Sequence, residues 1–167
     1  ESVQRVRCVQ RTHPTLIQND ARSPLPSNAV KASDTLTRMK QAASQHARPN
    51  IVAYNAVLNA CEHTDRSDEG VAEKALKVAF LTFDEIRNSS TIVPNHVTYG
   101  SFLGVVANLM PVTSRQEIVS LVFKRCIKTG QVSKLVLKKL REAVEMESTF
   151  TTLLQGHGAD RRSLIKL

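Results

Sequence analysis

PNIVAYNAVLNA, residues 49–60, and PNHVTYGSFLGV, residues 94–105, are two versions of one segment. Pro49 pairs with Pro94, Asn50 with Asn95, Val52 with Val97, Tyr54 with Tyr99 and Leu58 with Leu103, all in register. The chain has 2 tyrosines, and both fall in this one slot. A self-similar unit of this length decides the architecture, because each copy is one supersecondary element that is stable only when stacked on its neighbours. A second element precedes each block. ASDTLTRM, residues 32–39, and AFLTFDEI, residues 79–86, share a small–xxx–large–xx–large spacing. A third version, VSLVFKRC at residues 119–126, runs on to Gly130 and then to Ser133 and Lys134.

The spacing predicts helices throughout. Tyr54, Leu58 and Cys61 recur at four and three residues, and Ala72, Leu76, Ala79, Phe80 and Phe83 make a second stripe of helical period. Val136, Leu140 and Val144 share one face of a further helix. Ser114 and Glu117 have the spacing of a capping box, with Pro111 marking the turn ahead of it. The link TDRSDEG, residues 64–70, is too polar to pack and is expected to bulge outward between two paired helices. A single helix pair cannot bury its apolar face, whereas stacked pairs cover one another and leave a concave surface. The expected fold is therefore an all-α solenoid of helix–turn–helix repeats. Its units are residues 1–50 (degenerate), 51–95, 96–134, and 135–167, the last a partial repeat with TFTTLLQ (149–155) in an end cap.

Composition agrees and narrows the functional classes. The 167 residues are 41% hydrophobic but only 4% aromatic, with no Trp, so Leu, Val, Ala and Ile must build the core. The net charge of +8 is uneven: 8 basic and 3 acidic residues in 1–50, 4 and 7 in 51–95, 11 and 5 in 96–167. Such a balance favours polyanionic partners. Cys8, Cys61 and Cys126 are scattered and odd in number, which argues against a disulfide framework. No apolar run reaches membrane-spanning length, and a soluble chain is expected. The first residue is Glu1 rather than Met, so a piece of a longer array is expected and any targeting segment would lie upstream. There is no Gly-rich phosphate loop, paired-acid motif or Ser–His arrangement, and no enzymatic role is expected. Cys61, His63 and Asp65 are too few to make a zinc site, and neither a metal nor a cofactor is expected.

The pattern V-T-Y followed by an apolar helix, then A-xxx-F-xx-large, then Pro and a polar residue, resembles the pentatricopeptide repeat. HVTYGSFLGVVAN and AFLTFDEIRNSSTIVPN carry the likeness, which covers residues 51–146 well and 15–50 weakly. The units of 45 and 39 residues are longer than usual for that family. The resemblance implies a right-handed α-superhelix that binds single-stranded RNA, one nucleotide per repeat, in mitochondria or plastids, with RNA-processing proteins as further partners and no small-molecule substrate. It implies base selection by Asn55 and Asn95 in one unit, as a pyrimidine selector, and by Gly100 and Lys134 in the next. Val52, Val97 and Val136 would pack against base faces. Gly100 has no side chain to read an edge, and Lys134 suits a phosphate. In the N-terminal unit His13 takes the Tyr slot and Pro14 the selecting slot, with Asp20 on the apolar stripe, so no base is assigned there. The alternative is a protein-binding scaffold similar to tetratricopeptide repeats, which share the helix-pair plan but favour a Trp/Leu-Gly-Tyr spacing that is absent here.

Overall fold

The computed structural model describes residues 28–42, 48–144 and 147–155. His13, Pro14 and Asp20, on which the reading of the N-terminal unit rests, lie outside the described residues. The described chain is helical and contains no strand. Its helices are α1 (Asn28–Gln41), α2 (Ile51–Glu62), α3 (Glu69–Asn88), α4 (His96–Leu109), α5 (Val112–Lys128), α6 (Lys134–Ala143) and α7 (Glu147–Gln155). The all-α repeat architecture expected from the paired segments is borne out.

The helices form two rows. The Tyr-bearing helices α2 and α4 lie side by side, with α6 on the far side of α4. In the second row α1 packs on α2, α3 sits against both α2 and α4, and α5 sits against α4 and α6; α7 rests on α6. Burial explains the order. Every residue of α4 from 98 to 106 is buried, and the helix carries no Asp, Glu, Lys or Arg. A helix apolar all round belongs inside a larger assembly. By contrast α1, α3, α5 and α6 bury one stripe each. In α3 the deepest line is Ala75, Ala79, Thr82 and Ile86, whose mostly small side chains let the helix approach its neighbours. The expected stripe is thus rotated slightly: Ala72, Leu76, Phe80 and Phe83 flank that line and are only partly buried.

The aromatic residues are few but concentrated. Phe102 of α4 stacks on Phe83 at 4.1 Å and meets Phe80 edge-on at 5.2 Å. Phe83 also meets Tyr99 at 6.0 Å. Four rings from α3 and α4, centred on the Phe83–Phe102 stack, therefore fasten the second row onto the first.

The ends follow local chemistry. Asn50 caps α2 through Val52 N and Ala53 N, Asp68 caps α3, and Asn95 with Thr98 makes a reciprocal capping box on α4. Ser133 caps α6. The capping box expected at Ser114 and Glu117 does not form. Helix α5 starts earlier, after Pro111 at φ −61°, so Ser114 already lies within its first turn. Arg115 Nη2 instead donates to Met110 O at 2.7 Å. Helix α5 ends at Lys128, and beyond its cap Thr129 the φ of 67° at Gly130 lets Gly130 N and Gln131 N bond back to Ile127 O and Cys126 O. The polar link at residues 65–70 is exposed as expected, while Thr64 at its start is buried and bonds Ala60 O.

Cys61 and Cys126 are buried and free, and burial pushes both thiols up to about 12. In a Cys8→Ser variant neither thiol should react with a disulfide reagent at pH 8 until the chain unfolds, as followed by absorbance against denaturant. Phe102→Ala should cost about 3–5 kcal/mol in chemical denaturation.

Candidate functional site

The N-terminal ends of the first-row helices bring together the residues singled out from the sequence, and the caps give their register. Asn50, Asn95 and Ser133 are equivalent positions, each accepting from the backbone of the next turn. Four residues on stand Tyr54, Tyr99 and Leu137, and two residues on stand Val52, Val97 and Leu135.

This register corrects the third unit by one residue. Lys134 was expected in the slot of Asn95, but Ser133 occupies it and Lys134 is the first residue of α6. Val136 was expected to face a base, yet it is fully buried and bonds Ser133 through its backbone. Leu135 holds the equivalent slot and is 37% exposed. A one-residue slip turns a helix position by about 100°, which separates the core face from the open one. The unit boundary accordingly falls between Ser133 and Lys134.

Between α2 and α4 the two asparagines meet. Asn55 is 8% exposed, donates from Nδ2 to Asn95 Oδ1 at 3.2 Å, and accepts at Oδ1 from the Thr98 hydroxyl at 2.7 Å. Asn95 Oδ1 also takes Thr98 N at 3.1 Å. Its oxygen is thus committed to the protein, while its Nδ2 has no protein acceptor among the described residues. Val52, 43% exposed, and the half-buried Val97 hold the second positions of α2 and α4, the two helices this amide pair joins. Between α4 and α6 the same gap is filled differently. A methyl group added at Gly100 would come within 3.0 Å of Leu135 Cγ, so the leucine occupies the space that Asn55 fills one unit earlier.

The tyrosines serve packing. The Tyr54 hydroxyl donates to Glu85 Oε1 of α3 at 2.7 Å, and Lys40 of α1 pairs with the same carboxylate while lying 5.4 Å from the Tyr54 ring centre. Burial, then the Glu85 hydrogen bond and charge, hold the Tyr54 phenol well above its ordinary range. The Tyr99 hydroxyl accepts from Thr129 Oγ1 at 3.2 Å.

The opposite end of the row holds features that sequence reasoning missed. Asn108 of α4 donates to Glu62 O and Thr64 O at 3.0 and 2.9 Å, closing the C-terminus of α2. The Glu62 side chain runs over Gly104, where an added Cβ would lie 2.4 Å from its Cδ, and pairs with Lys139 of α6 at 2.8 Å. One carboxylate thereby ties three first-row helices together. Lys139 also bonds Glu142 at 2.7 Å. Burial lowers the ammonium pKa, but the two carboxylates outweigh it and the group titrates above its ordinary value. The signal available in the sequence was a glycine at one face of an otherwise apolar helix, with nothing to identify what crosses it.

The metal-like trio is dispersed in its bonding. Cys61 is buried, His63 Nδ1 lies 2.9 Å from Asn59 O, and Asp65 accepts from Ser67 N at 2.9 Å, which lowers its pKa.

Stacked helix pairs whose first helices carry matched caps at one end define a helical-repeat protein. The family model described as pentatricopeptide repeat domain matches residues 26–63, a stretch that takes in α1 and α2. The matched stretch is similar to that repeat and lies partly ahead of residues 51–146, where the motif is most legible. No curated protein and no solved structure matches the chain. Pentatricopeptide repeat domains generally bind RNA, and the family is generally not enzymatic.

The Glu62 bridge gives a test with a definite sign. Gly104→Ala should destabilise the protein by about 1 kcal/mol, although alanine outranks glycine in helices by a similar amount. In a Glu62→Ala background the same change should become stabilising. Because the Lys139 pKa is raised in the folded state, the bridge should contribute fully below the lysine's ordinary value of 10.5 and fade as pH rises through the shifted one. Thermal melts of the parent and the three variants between pH 7 and 11 would measure both effects.

Proposed function

We propose that the chain binds single-stranded RNA along the capped ends of α2, α4 and α6, and acts by holding RNA rather than by chemistry of its own. The observation that carries this reading is the open aliphatic side chain at the second position of each first-row helix. Val52, Val97 and Leu135 recur in one register, at least partly open to solvent, beside polar caps. Unstacked bases offer flat apolar faces and polar edges, which suits a row of aliphatic flanks and amides.

Within the row, Val52 and Val97 would flank one base. Asn95 Nδ2 is free to donate to an acceptor such as a pyrimidine O2. Asn55 would add its own contact by exchanging its bond to Asn95 for one to the base. At Gly100 no edge is read, because Leu135 fills the gap. Lys134 is exposed, with no acidic partner among the described residues, and would attract phosphate. Contacts of about 1–3 kcal/mol per base leave these units short of the roughly 8 kcal/mol of a micromolar complex. The working protein in this proposal is a longer array or a member of an assembly. An organellar setting rests on the family likeness alone, and imaging a fluorescent fusion of the full gene product would decide it.

Fluorescence anisotropy with short labelled oligonucleotides tests the reading. U- and C-rich RNA should bind more tightly than A-rich RNA, and the affinity should fall with added salt. Asn55→Ala should remove most of the pyrimidine preference. Asn95→Ser should do so while preserving the cap. Val52→Asp should weaken all sequences about tenfold. Equal binding of purine and pyrimidine RNA by the unaltered chain would eliminate the asparagines as selectors, and no RNA binding at all would overturn the proposal.

A further inference from the structure

The other row of helices carries a second surface, and its chemistry differs from that of the capped ends. A groove of about 540 Å³ runs between α3 and α5. Its apolar lining is Leu121, which is 60% exposed, with Val122 and Phe83. Its rim is cationic, with Lys124, Arg125 and Lys128 of α5 and Arg87 of α3. Arg87 pairs with Asp84, but among the described residues no carboxylate pairs with the three cations of α5. They sit in the last two turns of their helix, where the negative end of the dipole offsets roughly half a charge. A net positive rim remains.

We propose that this groove docks a protein segment that is acidic and presents a bulky aliphatic side chain, laid as an amphipathic helix between α3 and α5. Leu121 is the anchor for the aliphatic side chain, and Lys124, Arg125 and Lys128 receive carboxylates on either side of it. Two features favour a peptide over RNA. The exposed apolar surface has no amide in its lining to read a base edge, unlike the one beside Val52 and Val97, and the one ring in the groove, Phe83, is already stacked on Phe102. The chain's own flanks do not complement the groove either: residues 1–27 carry 4 basic and 2 acidic side chains, and 156–167 carry 3 and 1. The proposal stands independently of RNA binding.

The probe is a fluorescein-labelled helical peptide of Glu and Ala with a central Leu-xxx-Leu pair, titrated against the whole chain. Two controls replace the leucines by Ala or the glutamates by Lys. Saturable binding of the first peptide, weakened about tenfold by Leu121→Asp and by the pair Lys124→Glu/Lys128→Glu, is expected. Asn55→Ala should leave it unchanged. All the altered groove side chains are exposed, and thermal melts of each variant would confirm an intact fold. The proposal fails if the Lys peptide binds as well, or if the groove variants bind like the parent. It fails equally if the same variants abolish binding of U-rich RNA and not of the peptide, or if Leu121→Asp acts only by dissociating a dimer of this chain.

Discussion

Helix α4 touches α2 and α6 in its own row and α3 and α5 in the other, and everything else is arranged around that enclosure. Surrounded on four sides, it has no direction in which a charge could reach water, and burying an unpaired charge costs far more than any single contact returns. HVTYGSFLGVVANL obeys the constraint: its polar side chains are short or, like His96 and Asn108, near the ends. Glycine is used where another chain element must pass close by. Gly100 makes room for Leu135, and Gly104 for Glu62.

Polar bonds, as well as apolar packing, fix the spacing of the first row. At one end Asn55, Asn95 and Thr98 join α2 to α4; at the other Asn108 and the Glu62–Lys139 pair reach across. Aliphatic side chains can slide by a fraction of a turn at little cost, whereas buried amides and a threaded carboxylate have few satisfying geometries. Such a row holds its caps, and the aliphatic side chains beside them, in fixed relation.

The charge is divided between the rows. Helices α2 and α4 contain no Lys or Arg, and on α6 Lys139 is committed to carboxylates while Arg141 lies over the Phe150 ring at 5.0 Å. The unpaired cations of α5 face the groove on the other row. A net charge of +8 therefore does not describe one continuous basic face. It separates an amide-lined edge, whose free cation among the described residues is Lys134 of α6, from an aliphatic groove rimmed by the cations of α5.

The amino-acid sequence alone determined the helical repeat and the equivalence of Tyr54 with Tyr99, because these follow from local spacing. The third unit was read one residue late: without a tyrosine to mark it the register was set by spacing alone, although Ser133 is the better cap residue and puts Leu135 rather than Val136 in the open position. The start of α5 was likewise misplaced, since a proline and a serine both offer plausible beginnings. What faces what across the row was decided by tertiary structure alone. Asn55 bonds residues 40 and 43 positions away, and Glu62 reaches Lys139 by crossing a helix in between. Such pairings depend on how three helices lie together, and no periodicity within any one of them encodes it.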